Sequence, residues 1–117
     1  MIYFLSNHTD TESVERITGE QVRIIAHPYI EPTWSIEEMR DKCKRTLRAA
    51  AEAEKLIING DYTLVAMVFL ERYLLGKKTG FICFEKRGNS QNTKHADGRI
   101  THSNVLVPVN VRWLGGD

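Results

Sequence analysis

The sequence is short of the residues that build disulfide frameworks, metal clusters and membrane spans. Its two cysteines, Cys43 and Cys83, stand far apart, with no CxxC pair and no histidine at metal-ligand spacing. Nothing resembles a signal peptide, so a reduced, cytoplasmic protein is expected. The longest apolar run, Leu64 to Leu70, is far below the roughly 20 residues of a membrane-spanning helix, and no membrane partner is expected. Charge of one sign is also missing. The formal net charge is +1, so polyanion binding has to come from a local cluster and duplex DNA is not an expected partner. There is no GxGxxG and no P-loop. No carboxylate or histidine cluster has ligand spacing, so neither a metal nor a cofactor is expected.

What is present describes one ordinary globular domain. With 117 residues, 42% of them hydrophobic, the chain can bury its own core, although it is small enough for a partner subunit to help. Ile2 to Leu5 reads as a first strand, leading through the turn and capping residues Ser6 to Asp10 into a short helix from about Thr11 to Ile17 that stops at Gly19. Val22 to Ala26 gives a second strand, halted by His27-Pro28, and Tyr29 to Trp34 follows as an extended loop. Ser35-Ile36-Glu37-Glu38 has capping-box form. It opens a helix whose apolar positions Ile36, Met39, Cys43, Leu47, Ala50 and Ala53 share one face, with Arg40, Lys44, Arg48 and Glu52 on the other.

Lys55 to Ile58 is the third strand, Asp61 to Leu75 the third helix, and Gly80 to Phe84 a fourth strand covered on both faces. Residues 86–104 form either a long loop or a flexible hairpin. The last segment alternates, with Val105, Val107, Val109, Val111 and Trp113 on one side, and Pro108 marks it as an antiparallel edge strand. Alternating strands and helices imply an α/β, Rossmann-like single domain. Its sheet has four to five mostly parallel strands, with helices on both faces and an antiparallel C-terminal edge strand.

Open α/β sheets bind ligands beyond the carboxyl ends of their strands. The residues arriving there are Ser6, Asn7, His8 and Thr9 after the first strand and His27 and Tyr29 after the second. Asn59, Gly60, Asp61 and Tyr62 follow the third, and Glu85, Lys86 and Arg87 the fourth. Gly60 permits close backbone approach, helix-start amides attract anions, and Lys86 and Arg87 add full charges. The set suits a nucleotide or phosphate better than a neutral metabolite. A second reading stays open, in which Asn59-Gly60-Asp61 is only a turn and helix cap and the two cations are solvated.

The third helix is apolar all round from Leu64 to Leu70, and a surface helix is not. Its outer side needs cover. The same helix of a second subunit would provide it in a two-fold homodimer, and the alternative cover is the Tyr29 to Trp34 loop. Two symmetric rims suit a two-fold symmetric ligand.

The opening "MIYFLSNHTDT" together with "LIINGDYTLVAMVFLERYLLGKKTGFICFEKR" resembles the small stand-alone CARF-like proteins of type III CRISPR loci. These are ring nucleases that degrade cyclic oligoadenylate messengers. The resemblance covers Met1 to about Arg87 and lies in layout and loop character. It implies metal-independent cleavage of a cyclic oligoadenylate, cyclic tetra-adenylate being the expected ring, by the ribose 2′-hydroxyl. Under it Lys86 and Arg87 hold phosphate with help from the amides near Gly60, Asn7 orients the ribose, and His8 protonates the leaving oxygen. Ser6, Thr9, Asn59, Asp61, Tyr62 and Glu85 complete the ligand-binding rim. Two other classes use the same rim: a sensor or sponge that binds without cutting, and a nucleoside-processing enzyme of deoxyribosyltransferase type with Asp61 or Glu85 as nucleophile.

Overall fold

Strands β1 (Ile2–Ser6), β2 (Val22–Ala26) and β3 (Leu56–Ile58) pair in parallel, and β3 pairs in parallel with β4 (Thr79–Lys94). β5 (Ile100–Leu114) closes the edge antiparallel to β4, giving the order β2-β1-β3-β4-β5. This computed structural model describes residues 1–7, 10–94 and 100–116, with side chains over 1–7, 10–86 and 106–116. The fold is the expected α/β, Rossmann-like architecture. Among the described residues no helix is long and apolar enough to cross a membrane.

Alternation along the strands divides the core between two faces. Ile2, Phe4 and Ile57 pack on one side with Val14 of α1 (Thr11–Thr18). Leu5, Leu56 and Ile58 pack on the other with α2 (Ile36–Lys42), α3 (Lys44–Glu52) and α4 (Tyr62–Leu74), through Met39, Cys43, Ala50, Leu64 and Val68. Helices therefore lie on both faces. The caps follow the sequence. Asp10 accepts from the Ser13 amide at 3.0 Å, Gly19 ends α1 in the left-handed conformation, and Ser35 and Glu38 form a complete capping box.

Several expectations change. The single helix expected from Ser35 to Ala53 is interrupted at Cys43, which leaves helical geometry at φ −101° and ψ 15°. The backbone ladder nevertheless bridges the interruption, from Cys43 N–H to Met39 and from Leu47 N–H to Cys43. Burial pushes the Cys43 thiol above its ordinary pKa, with the Asp61 charge adding to this. Of residues 86–104, those described, 86–94 and 100–104, belong to the two paired strands of a hairpin. β4 continues ten residues beyond Phe84 to Lys94, and its partner begins at Ile100. The alternation expected in the last segment is broken by a bulge: Cys83 pairs with Asn110 but Phe84 with Pro108, so Val109 is the extra residue and Pro108 is buried beside it.

The third helix is not apolar on every side for one reason. Leu64 and Val68 are spent on the chain's own core, whereas Leu70, Leu74 and Leu75 are 60%, 83% and 59% exposed. Val68 is thus no candidate for a subunit contact. The Tyr29 to Trp34 loop does not cover that exposed side: Ile30 and Trp34 pack against the buried cluster of Leu5, Met39 and Cys43, and Leu70, Leu74 and Leu75 stay exposed.

One side chain holds three elements together. Arg72 of α4 is fully buried and every N–H of its guanidinium is used. Nε donates to Thr79 Oγ1 (2.9 Å), one terminal nitrogen to the carbonyls of Ala50 (2.8 Å) and Ala53, and the other to those of Glu54 (3.2 Å) and Lys78 (2.6 Å). Lys77 Nζ takes the carbonyls of Ala51 and Glu52 at 3.1 and 3.0 Å. The carbonyl end of α3 is therefore capped by two cations from beyond the middle of α4, which also suits its dipole. Burial pushes the Arg72 pKa down, but arginine starts far enough above neutrality to stay charged.

Candidate functional site

The order β2-β1-β3 means that the chain leaves β1 in one direction for β2 and later returns on its other side for β3. The helices that follow β1 and β3 go to opposite faces, α1 to one and α4 to the other. A crevice opens at such a reversal point, beyond the carboxyl ends of the strands. The structure has a pocket of about 280 Å³ there, lined by Ser6 and Asn7 from β1, His27 from β2, and Asn59, Gly60 and Asp61 from β3.

Five of the expected site residues thus meet in one place. Ser6 is buried at the strand end and the Asn59 amide donates to the Leu5 carbonyl at 3.0 Å, so the two loops are fixed edge to edge. Asp61 is the cap of α4: its Oδ1 accepts from the amides of Thr63 (3.0 Å) and Leu64 (3.1 Å). The cap therefore uses two of the helix-start amides expected to attract an anion. It also engages the carboxylate that a deoxyribosyltransferase reading would employ as nucleophile.

His27 has a larger part than its sequence position suggested. A carbonyl can only accept and an amide can only donate, so the ring's two contacts fix its tautomer. Nδ1–H donates to the Pro28 carbonyl (2.7 Å) and bare Nε2 accepts the Asp61 amide hydrogen (3.1 Å). The ring lies so close over Gly60 that a Cβ there would stand 2.2 Å from His27 Cδ2, and Gly60 has φ +151° besides. Glycine is required at 60 on both counts. This contact joins residues 33 apart in the chain. A histidine directly after a strand, opposite an Asn-Gly-Asp turn, was its only sequence signal.

The remaining expected residues lie elsewhere. Tyr62 is 92% exposed at the start of α4, beside the pocket but not in it. Glu85 and Lys86 are in β4. Phe81 is the partner of Ile58, so these two residues stand about 13 and 17 Å further along the strand at its usual rise. Alternation sends their side chains to opposite faces of the hairpin. His8, Thr9 and the side chain of Arg87 lie outside the described residues. Among the described lining residues the formal charge is the Asp61 carboxylate alone, so any cation meeting a phosphate in this pocket comes from beyond it. Comparison with protein-family models, with curated proteins and with solved structures found no match.

Proposed function

We propose that the chain is a ring nuclease that binds and cleaves a cyclic oligoadenylate, with cyclic tetra-adenylate as the expected ring. The observation that carries the reading is the pocket of polar residues at the strand reversal, where Asn7, Asn59 and the Gly60 backbone offer hydrogen bonds to a ribose and its phosphate. The reaction uses the substrate's own groups. The 2′-oxygen, giving up its proton to solvent, attacks phosphorus as the P–O5′ bond breaks, leaving a 2′,3′-cyclic phosphate and a 5′-hydroxyl that takes up a proton. In this reading Asn7 orients the ribose, His8 gives the proton to O5′, and Lys86 and Arg87, which follow one another up β4 beyond the pocket, hold phosphates of the ring outside it.

A two-fold symmetric ring calls for two pockets, so the reading includes a homodimer. Tyr62 and Ala66, exposed on the pocket end of α4, are the residues of that helix placed to meet a second copy there.

The test is binding at a named place. Cyclic tetra-adenylate with 2′-fluoro sugars cannot undergo the attack and serves as a stable ligand. Titrated into ¹⁵N-labelled protein, it should shift the amides of Ser6, Asn7, Asn59 and Gly60. Gly60→Ala should weaken binding about tenfold or more, because its methyl displaces the His27 ring, while the far-ultraviolet spectrum stays unchanged. Shifts confined to other surfaces, or none, would remove the proposal.

A further inference from the structure

A groove of about 690 Å³, larger than the pocket at the strand ends, runs between α3 and the second half of α4. Its floor is apolar, formed by Leu47, Met67, Leu70, Leu74 and Leu75, three of which are more than half exposed. The lining also includes Glu52, Glu71 and Lys77, and one wall is a ladder of three cations, Arg40, Lys44 and Arg48. They recur every fourth residue across the hydrogen-bonded interruption at Cys43, and are therefore spaced at about 6 Å on one helical edge. All three are exposed, and among the described residues none of them is in an ion pair.

An apolar floor with leucines this exposed is unusual for a surface with nothing to meet, and the cations beside it mark the sign of charge a partner would carry. Solvent would suit the charges but not the leucines, and a buried apolar contact would suit the leucines but not the charges. From this combination we infer that the groove is a docking site for an acidic amphipathic helix of a partner protein. Such a helix inserts leucine-type residues at i, i+3, i+4 and i+7 and carries Glu or Asp one stripe over, at i, i+4 and i+8. Its carboxylates then repeat at the same 6 Å as the ladder.

Other occupants fit less of what is there. A small amphiphilic anion would engage one cation and leave two. A single-stranded nucleic acid would match the charges but cover the leucines poorly. A second copy would bring the same exposed leucines of α4, whose sequence holds one carboxylate, Glu71, rather than a ladder. The site lies at the end of α4 away from the strand-end pocket, and the inference does not depend on the ring-nuclease reading.

The probe is a pair of fluorescent synthetic peptides of about 18 residues, long enough to form a helix on docking. Both carry the leucine stripe, one flanked by glutamates and the other by lysines. Anisotropy titration with the full chain should show saturable binding of the glutamate peptide and about tenfold or more weaker binding of the lysine peptide. Arg48→Glu should narrow or reverse that preference, and Leu74→Asp should abolish binding of both. Each residue is exposed, so circular dichroism should report an unchanged fold. Equal affinity for the two peptides, or no saturable binding, would overturn the inference. So would displacement of the glutamate peptide by single-stranded oligouridylate, or conversion of a dimer to monomer by Leu74→Asp in sedimentation.

Discussion

Arg72→Met should leave the protein largely unfolded at 37 °C, although methionine fills much of the same space. The substitution strands the buried carbonyls of Ala50 and Ala53 and the buried hydroxyl of Thr79, and it also removes the donors to the half-buried carbonyls of Glu54 and Lys78. Each buried polar group left unpaired costs about 1–3 kcal/mol. Even with water recovering part of that, the loss is on the order of 5 kcal/mol, against about 5–15 kcal/mol for a whole domain. Arg72→Lys keeps the charge but offers three donors where five are used, so it should fall between. Arg45→Met, an exposed arginine on the same helix pair, should lie within about 0.5 kcal/mol of wild type. Urea unfolding of the three variants checks the order. Arg72→Met unfolding within about 1 kcal/mol of wild type would mean that the network contributes far less than its five bonds suggest.

The second large effect concerns two histidines with different duties. If His8 protonates the leaving oxygen as the bond breaks, His8→Ala should lower the single-turnover rate by about 10²-fold or more and leave binding nearly intact. The wild-type rate should then fall as pH rises through the imidazole range, near 6.5 for an unperturbed histidine, because the acid form is lost. His27→Ala should do the reverse. Its ring nitrogens are engaged by the Pro28 carbonyl and the Asp61 amide, so it holds the Gly60-Asp61 turn. Its loss should weaken binding and leave the single-turnover rate at saturating ligand largely intact. Lys86→Ala and Arg87→Ala should likewise weaken binding, with rate surviving at saturating ligand. A His8→Ala protein that cleaves at the wild-type rate would cancel its assignment as the acid.

The fold was legible where local chemistry and periodicity agree. The Ser35 capping box, the Asp61 cap and the alternation of apolar strands with amphipathic helices each announce their element, and the parallel order follows from their succession. The interruption at Cys43 carries no glycine or proline to mark it. The hairpin beyond Phe84 is ambiguous between loop and strand in the sequence because its residues are polar, and only the pairing of β4 with β5 identifies its strands. Arg72 was unreadable for another reason. An arginine four residues after Val68 looks like an ordinary charge near a helix end, and only the approach of the α3 carbonyl end makes it a core residue.

The strand-end pocket shows the same division. Ser6, Asn7, Asn59, Gly60 and Asp61 could be named in advance, since strand ends and turn residues are local facts. That Lys86 and Glu85 stand up the hairpin, and that His27 presses on Gly60, depend on tertiary pairing between segments distant in sequence.

The most direct measurement is to incubate the protein with cyclic tetra-adenylate in excess EDTA and separate the products. The account predicts linear oligoadenylates ending in a 2′,3′-cyclic phosphate, formed at nearly the rate seen without chelator, because the attacking oxygen belongs to the substrate. Intact ring recovered from the protein would make the chain a sensor or sponge. Cleavage that stops in EDTA and returns with magnesium or manganese would contradict the 2′-hydroxyl route.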